Sequence, residues 1–499
     1  MKKAILPSLV ATFLLSGCGG SDSSSPGPST PRYNWQIIQL QTLKESDVKS
    51  GCVIYGTSET DNSRVITASI ANTGYNVLFH NADGSIIEEH TIQAADVPSN
   101  GIVNFDSGWV PDEGYVSLEE VDRNLSGEPD VYMYSVQKQY LGNKVLNVRS
   151  SQTGSNCYAG KDYRSVTDIS DTAALSVLQE SGVSYYQTSY SADLVSGHDL
   201  SAHIPVRSPL PAVKDTLVTA FYSSQNGQHT DLAYFGFLEP SYVYDTDESN
   251  DIVAASLSNA DLEPMYWQVA SNLAVDDGSS VLAIHNNNSY QWQTLYKDVD
   301  QFTIAPNYDQ VSHWVGLFSG TTNDSNWQFN SVMAINADNA ALDLELAELN
   351  SIDNLDLIEN CSVELSHANH CIDNANSFNS GDFALQRSQV RLRSHNNSRT
   401  FYQSIYAAPK AQQALMQSSA LELATSQIDS IEIALIDSEL SADQQDYFMA
   451  NFIDSRSIAE TGTVTQYSDA NGLILNPTEY EDLYLEMLKD SATIVQNAK

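Results

Sequence analysis

The chain has 499 residues, with 23 Lys and Arg against 63 Asp and Glu, so its formal net charge at pH 7 is −40. This charge argues against binding to nucleic acid, whose phosphates need a basic protein face. The acidic residues are spread along the chain, which is typical of a surface kept soluble in a salty medium. The length allows roughly two to four domains with substantial cores.

Residues 1–17 are typical of a signal peptide. Two lysines at positions 2–3 precede an apolar segment, 4–15, that is too short to span a bilayer as a helix. The segment ends in LSGC (15–18), where small residues suit a peptidase cleft and the cysteine offers a thiol for acylation. The alternative is an ordinary secretory signal followed by an unrelated cysteine.

The sequence around Cys18 resembles the lipobox of bacterial lipoproteins. The resemblance implies cleavage before Cys18, a diacylglyceryl thioether on its sulfur, and an acyl chain such as palmitate on the new amine. Gly19 follows the cysteine where Asp would imply retention, so the resemblance implies an outer-membrane lipoprotein. Three acyl chains exceed what stable anchoring in outer-membrane lipid requires, at about 0.8 kcal/mol for each buried methylene. Residues 18–32, rich in Gly, Ser and Pro, predict a flexible tether, because they cannot bury enough apolar surface to become ordered.

Residues 33–160 predict an N-terminal β-sandwich of about seven short strands. The segment YNVLFHNADGSIIEEHTI (75–92) alternates apolar and polar residues around Asp83-Gly84, a pair typical of hairpin turns. The order of strand, Asn-Ala-Asp-Gly and strand resembles immunoglobulin-like or prealbumin-like extracellular modules.

Residues 161–345 predict a series of β-hairpins with a ragged repeat near thirty residues. Two such units would form a four-stranded propeller blade, but further serial sandwiches would give the same pattern. Across the end of this series, residues 336–360 have helical spacing and predict an inserted helix or a domain boundary. The overall prediction is a mainly β protein.

The last two regions are predicted from local patterns. Residues 346–475 predict a β-rich region that carries a disulfide loop. Residues 476–499 predict a C-terminal amphipathic helix, which begins at Pro477 with Thr478 and Glu481 as a capping box.

Four cysteines are left once Cys18 is assigned to lipid. An even number in an exported chain predicts disulfides, and four cysteines allow three connectivities. We favour Cys52–Cys157, which would join the two ends of the N-terminal domain, and Cys361–Cys371, which would close a local loop.

The segment DRNLSGEPD (122–130) has the spacing of a calcium loop. Asp122, Asn124 and Ser126 follow the pattern D-x-N-x-S-G, and Asp130 is close by. Calcium needs several oxygens around one point, and glycine permits the tight bend. Methionine stands where the bidentate acid is expected, so a polar hairpin loop is the alternative we favour.

Two further segments carry weaker metal patterns. DTDESND (245–251) places oxygen ligands at alternate positions but lacks the glycine, so a solvated acidic turn is favoured there. CSVELSHANHC (361–371) contains ligands that zinc accepts, including Glu364, His367 and His370. Oxidation of its two cysteines is favoured over zinc binding.

Aromatic residues beside amides mark several strand pairs. Such rings suit carbohydrate faces, although core packing is the favoured alternative for any single tryptophan. The residues are Tyr266, Trp267, Tyr290, Trp292, Trp314 and Trp327.

The sequence lacks the nucleophile elbow, H-E-x-x-H, P-loop and G-x-G-x-x-G motifs. It therefore predicts a non-catalytic surface or structural lipoprotein without a cofactor, apart from structural calcium. The alternative is a surface lipoprotein that binds or degrades glycans, with carboxylates as acid and base.

Three N-terminal segments resemble flagellar sheath protein A of bacteria with sheathed polar flagella. They are YNWQIIQLQTL (33–43), YNVLFHNADGSI (75–86) and GYVSLEEVD (114–122). The resemblance implies a location in the membrane sheath around the filament. The partners we expect are flagellar or surface proteins or, on the alternative function, a glycan.

Overall fold

The computed structural model describes part of the chain between residues 30 and 498. The described residues are 30–54, 56–58, 61–122, 130–148, 153–158, 169–170, 172–190, 193–197, 204–206, 208–210, 212–222, 224–225, 228–248, 251–339, 341–351, 355–359, 361, 370–374, 377–393, 400–421, 427–436, 445, 448–449, 485 and 488–498. They are mainly β, which confirms the predicted fold class. No described helix is long and apolar enough to cross a membrane.

The strands are numbered in chain order. Those described up to residue 158 are β1 (Arg32–Lys44), β2 (Gly56–Ser58), β3 (Asp61–Ala71), β4 (Tyr75–His80), β5 (Ile92–Gln93), β6 (Ile102–Asp106), β7 (Tyr115–Asp122), β8 (Asp130–Gln137), β9 (Lys144–Asn147) and β10 (Thr153–Cys157). Those described from 169 to 344 are β11 (Ile169–Ser170), β12 (Ala173–Leu175), β13 (Tyr185–Tyr190), β14 (Asp193–Gly197), β15 (Ile204–Pro205), β16 (Ser208–Pro209), β17 (Thr216–Phe221), β18 (Ser224–Gln225), β19 (Gln228–His229), β20 (Leu232–Leu238), β21 (Tyr244–Asp245), β22 (Glu263–Val269), β23 (Leu273–Val275), β24 (Ser280–His285), β25 (Asn288–Thr294), β26 (Gln301–Ile304), β27 (Val311–Thr322), β28 (Gln328–Ile335) and β29 (Leu342–Leu344).

The remaining strands lie in the C-terminal third of the chain. They are β30 (Asp356–Ile358), β31 (Cys371–Asp373), β32 (Leu385–Arg393), β33 (Thr400–Ala407), β34 (Gln412–Ala414), β35 (Gln427–Ile436) and β36 (Ala492–Ala498). Short 3-10 helices connect strands at Glu45–Asp47, Glu88–His90, Ala94–Asp96, Ser107–Trp109, Lys138–Tyr140, Pro240–Tyr242 and Ser380–Asp382.

The N-terminal region is arranged as a sandwich of two layers. One layer is a six-stranded sheet in which β1 lies between β3 and β6, with β9 parallel to β1. The other layer contains β5, β4, β7 and β8. Apolar residues at alternate positions of both layers meet in one core, where Trp35 and Phe79 each contact Phe105, with ring centroids 5.2 and 5.7 Å apart.

The second layer of this sandwich continues into the rest of the chain. The strand β8 pairs in parallel with β33, and a thirteen-stranded sheet then runs through β32, β35, β36 and β28 to β27, β24 and β25. This pairing crosses the predicted boundaries near residues 160 and 345. The described hairpins therefore join one large sheet and several small ones, rather than a ring of equal four-stranded blades.

Two predicted helices differ from the structure. The last described residues form β36, which pairs with β28 on one side and β35 on the other, so the predicted helix over 476–499 is wrong for Ala492–Ala498. The β-branched run Thr493-Ile494-Val495 favours a strand there. Leu485 is helical, and the capping residues lie outside the described part of the chain. The helical spacing in 336–360 is also misleading, because Leu342 and Leu344 are buried on either side of an exposed Asp343 in β29, which is the period of a strand.

The predicted turn at Asp83-Gly84 is present and is packed against a distant segment. The Gly84 N–H donates to Asn81 O at 3.0 Å, and its φ is +81°. A Cβ at Gly84 would lie 2.2 Å from Leu415 O, while the Gln417 N–H donates to Gly84 O at 2.9 Å. The turn therefore needs glycine for both its conformation and its contact.

We expect Gly84→Ala to lower the free energy of unfolding by about 3 kcal/mol, from left-handed backbone strain and the clash with Leu415 O. Gly142→Ala is the matched control, because a Cβ there meets no atom within 4 Å. Urea unfolding followed by tryptophan fluorescence measures both variants. Equal losses in the two variants would contradict the packed-turn interpretation.

Candidate functional site

A shallow groove of about 440 Å³ opens beside β22. It lies where this strand changes partners, because β22 pairs antiparallel with β26 over Glu263–Tyr266 and parallel with β29 over Trp267–Val269. The two partners lie on opposite edges of β22, and the groove is lined by residues that precede each of them. The groove is lined by Tyr266, Trp267, Gln268, Val269, Lys297, Asp300 and Ala341.

Alternation along β22 decides which side chains face the groove. Tyr266 is 49% exposed, and Gln268 is exposed on the same side of the strand. Their cross-strand partners are the exposed Gln301 and Asp343, respectively. Tyr266 and Gln268 therefore lie on one open face of β22, each next to a polar residue of a neighbouring strand.

Trp267 forms the base of the groove rather than part of its open face. It is 4% exposed, and its indole N–H donates to Val299 O at 2.8 Å. Its backbone N–H donates to Asp300 O at 2.9 Å, and its ring packs 5.4 Å from Phe318. These contacts fix the loop that carries Lys297 and Asp300, so the groove is built on rigid residues.

The other aromatic residues singled out in the sequence belong to the core. The indole N–H of Trp292 donates to Thr303 O, and that of Trp327 donates to Asn350 O. Of the six candidate aromatics, the structure brings Tyr266 alone to an open face, and the buried ones are Trp267, Tyr290, Trp292, Trp314 and Trp327. The groove can therefore stack one flat apolar face of a ligand and form hydrogen bonds around it.

The predicted calcium loop is only partly described. The backbone register of the antiparallel strands β7 and β8 pairs position 122 with position 130. The Asp130 carboxylate accepts a hydrogen bond from Thr400 N at 2.8 Å. Asn124 and Ser126 lie outside the described residues, so calcium binding stays a prediction.

Both predicted disulfides are present. Cys52 joins Cys157 with 5.3 Å between the Cα atoms, and Cys361 joins Cys371 with 5.9 Å. The oxidised sulfurs at 361 and 371 are not thiolate ligands, which removes the sulfur donors of the weaker zinc pattern.

The other metal donors are placed as follows. His370 is buried, whereas Glu364 and His367 lie outside the described residues. In the acidic segment 245–251, the Asp245 carboxylate accepts from Asp247 N at 3.0 Å. Within the described part of the chain, no group of three or more His, Cys, Asp or Glu side chains could hold a metal ion.

The structure adds a histidine–carboxylate pair that no sequence pattern predicted. His285 Nε2 lies 2.8 Å from Asp215 Oδ2, and its Nδ1 lies 2.8 Å from Gln310 O. The imidazole also stacks on Phe237 at 4.1 Å. Because both ring nitrogens face protein acceptors, the pair is suited to joining three segments rather than to proton transfer from a substrate.

A buried carboxylate joins the N-terminal layer to the segment after β34. Glu119 accepts hydrogen bonds from Ser418 Oγ at 2.6 Å, Ser419 N at 2.7 Å and Asn76 Nδ2 at 2.9 Å. The Ser419 hydroxyl donates to it as well. Its oxygens are occupied by the protein itself, which is the pattern of a structural clamp.

Comparisons with known proteins do not assign a family. No protein-family model matches this chain, and no curated protein matches its sequence. The inference of function therefore depends on the residues and contacts described above.

Another buried titratable group supports the packed turn at Gly84. His80 is fully buried, with Nδ1 3.1 Å from Gly84 O and Nε2 without a partner. Burial lowers the pKa of His80 to about 4, because the charged imidazolium loses its hydration there. His80 is therefore neutral in the folded protein at pH 7.

We expect this histidine to make stability sensitive to acid. Its pKa is about 4 when folded and about 6.5 when unfolded, so the unfolded chain binds the proton first. The free energy of unfolding is therefore undiminished by this residue above pH 6.5. It falls by about 3 kcal/mol in total as the pH is lowered to 4. His80→Asn, which keeps a donor for Gly84 O, should lose less stability over that range in urea titrations at pH 7, 5 and 4. Parallel pH profiles of the two proteins would contradict this role.

Proposed function

We propose that the protein is a non-catalytic lipoprotein of the cell surface, anchored in the outer membrane through Cys18. The observation that carries the proposal is the sequence LSGC (15–18) after a charged start and an apolar run, followed directly by the tether. The acyl chains on Cys18 would supply the membrane attachment, and the tether would hold the β body away from the lipid.

The predicted tether, 18–32, extends too far, because residues 30–31 already contact the folded body and β1 begins at Arg32. This first strand is well placed to bear tension from such an anchor. Ser107 N donates to Pro31 O at 2.9 Å, and the Thr30 hydroxyl donates to the Asp106 carboxylate. From Arg32 onward, β1 pairs with β3, β6 and β9. A pull on the N-terminus would load these ladders along their length, where several hydrogen bonds resist together.

The two disulfides support an exported location. Disulfides persist in oxidising compartments and are rare in the cytosol. Cys52–Cys157 spans 105 residues and ties the turn after β1 to β10. A crosslink over so long a loop restricts the unfolded chain by several kcal/mol, which suits a body exposed to the cell exterior.

We propose further that the protein is located in the flagellar sheath. The resemblance of residues 33–43, 75–86 and 114–122 to flagellar sheath protein A supports this location. These segments supply β1, β4 and β7, which form the two layers of the N-terminal sandwich. A scaffold of this kind fits a structural role in the membrane around a filament.

We expect the full chain to be enriched in isolated flagella, relative to bulk outer membrane and periplasm. Cys18→Ser should move it out of the membrane fractions, because the acylated thiol is lost. Ser23→Ala, within the tether, is the matched control and should leave the distribution unchanged. Quantitative immunoblots of the three fractions measure all three proteins.

The two parts of this proposal fail separately. A Cys18→Ser protein that still sediments with membranes would contradict the anchor. A wild-type protein spread evenly through the outer membrane would contradict the sheath while leaving the anchor intact. Loss of sheath integrity in a deletion strain would support a structural role.

We propose structural calcium at the loop between β7 and β8, on the D-x-N-x-S-G spacing of its sequence and the pairing of positions 122 and 130 in the backbone register. We expect EDTA to lower the melting temperature of the full chain, and Asp122→Asn to remove that response. Asp247→Asn, in the weaker acidic segment, is the control and should keep it. A melting temperature unchanged by EDTA would remove calcium from the proposal.

A further inference from the structure

We propose that the groove beside β22 binds a neutral saccharide, with Tyr266 as the platform on which a sugar ring stacks. This inference stands on side chains of the folded body and does not depend on the membrane anchor. The groove would bind the saccharide without changing it chemically.

The exposed ring of Tyr266 is the first support. About half of the Tyr266 surface is exposed to solvent, whereas most aromatic side chains bury their apolar area in the core. Its backbone is fixed by pairing with Gln301, and the buried Trp267 holds the next position of the strand. The ring is therefore presented on a rigid base, which limits the entropy lost when a ligand stacks on it.

The polar groups around the ring are of the type that hydroxyls need. Among the lining residues, Gln268 offers an amide donor and an amide acceptor, Asp300 accepts and Lys297 donates. The exposed Gln301 and Asp343 lie beside Tyr266 and Gln268 on the neighbouring strands. Each sugar hydroxyl donates one hydrogen bond and accepts others, so a mixed set of this kind matches several hydroxyls at once. One flat apolar face edged by hydroxyls is the shape of a pyranose ring.

Charge selects a neutral sugar over an acidic one. Lys297 and Asp300 are the charged lining residues, one of each sign, and the exposed Asp343 is the cross-strand partner of Gln268. The whole chain adds a net charge of −40. Carboxylate or sulfate groups of an acidic glycan would meet repulsion here, as would the phosphates of a nucleic acid.

The shape of the groove argues against an apolar ligand. Met265 and Trp267 point inward and are buried, so Tyr266 supplies the ring on the open side. Apolar small molecules need an enclosed cavity that covers most of their surface, which a shallow groove does not provide. Its volume of about 440 Å³ suits a short stretch of sugar units lying along the surface.

The test uses the full chain in a detergent without a sugar headgroup. The neutral probes are cellohexaose, maltohexaose, laminarihexaose and chitohexaose, and a hyaluronan hexasaccharide is the acidic probe. Isothermal titration gives affinity, and saturation-transfer NMR shows which sugar protons lie against a ring. We expect at least one neutral hexasaccharide to bind, with its strongest transfer at the axial C–H protons of one face.

Four variants separate stacking from nonspecific adsorption. Tyr266→Ala should weaken binding at least tenfold, while Tyr266→Phe, which keeps the ring, should stay within a few-fold of the wild type. Gln268→Ala should weaken binding several-fold. Tyr222→Ala is the matched control, because Tyr222 is 46% exposed elsewhere on the surface, and it should bind as the wild type does.

Three outcomes would overturn the proposal. If none of the four neutral probes binds, the groove is not a saccharide site. If Tyr266→Ala binds with wild-type affinity, the saccharide binds elsewhere on the protein. Tighter binding of the hyaluronan hexasaccharide than of every neutral probe contradicts the ligand class. Circular dichroism of Tyr266→Ala, an exposed substitution, checks that the fold is intact in each case.

Discussion

The parallel pairing of β8 with β33 is the interaction on which the rest of the fold depends. It brings residues 131–136 beside residues 401–406, about 270 positions later in the chain, and turns two separate sheets into one. Parallel strands are normally buried on both faces, and these are: Met133 and Ile405 belong to one core, while Tyr134 and Tyr406 belong to another, with ring centroids 5.4 Å apart. Without β33, the N-terminal sandwich would end in an open edge at β8, which is a hazard for aggregation.

Buried polar contacts reinforce this junction and specify its register. Glu119 reaches the serines at 418 and 419, and the turn at Gly84 fits against residues 415–417, so the segment after β34 is held at two points. Farther along the sheet, Arg387 of β32 pairs with Glu432 of β35 where both side chains are buried. Burying such groups costs solvation that their partners only partly restore. These pairs specify the strand register, because any shifted register would leave a buried charge without its partner.

Local chemistry was readable in the sequence, and long-range pairing was not. Asp83-Gly84 predicted its turn because positive φ favours glycine, and the two disulfides followed from exported cysteines and their spacing. The strand at 492–498 was missed because apolar residues just before it suggested a helix, while its two partners lie elsewhere in the chain. The groove was predictable only in part. Aromatic residues beside amides marked the strand that carries Tyr266, but its pairing with β26 on one edge and β29 on the other depends on residues 301–304 and 342–344. His285 and Asp215 are 70 positions apart and carry no shared pattern.

The charge of the chain and the character of the groove are physically compatible. A surface with a net charge of −40 repels similar surfaces, and salt shortens the reach of that repulsion to about 8 Å at physiological ionic strength and less in saltier media. A site that relied on ion pairs would weaken in the same conditions. Stacking on Tyr266 and hydrogen bonds from Gln268 to hydroxyls are much less affected by salt, because neither partner carries net charge. If the proposed anchor and site are both present, the charge keeps the body soluble at the cell surface, while the site holds an uncharged ligand through contacts that salt does not screen.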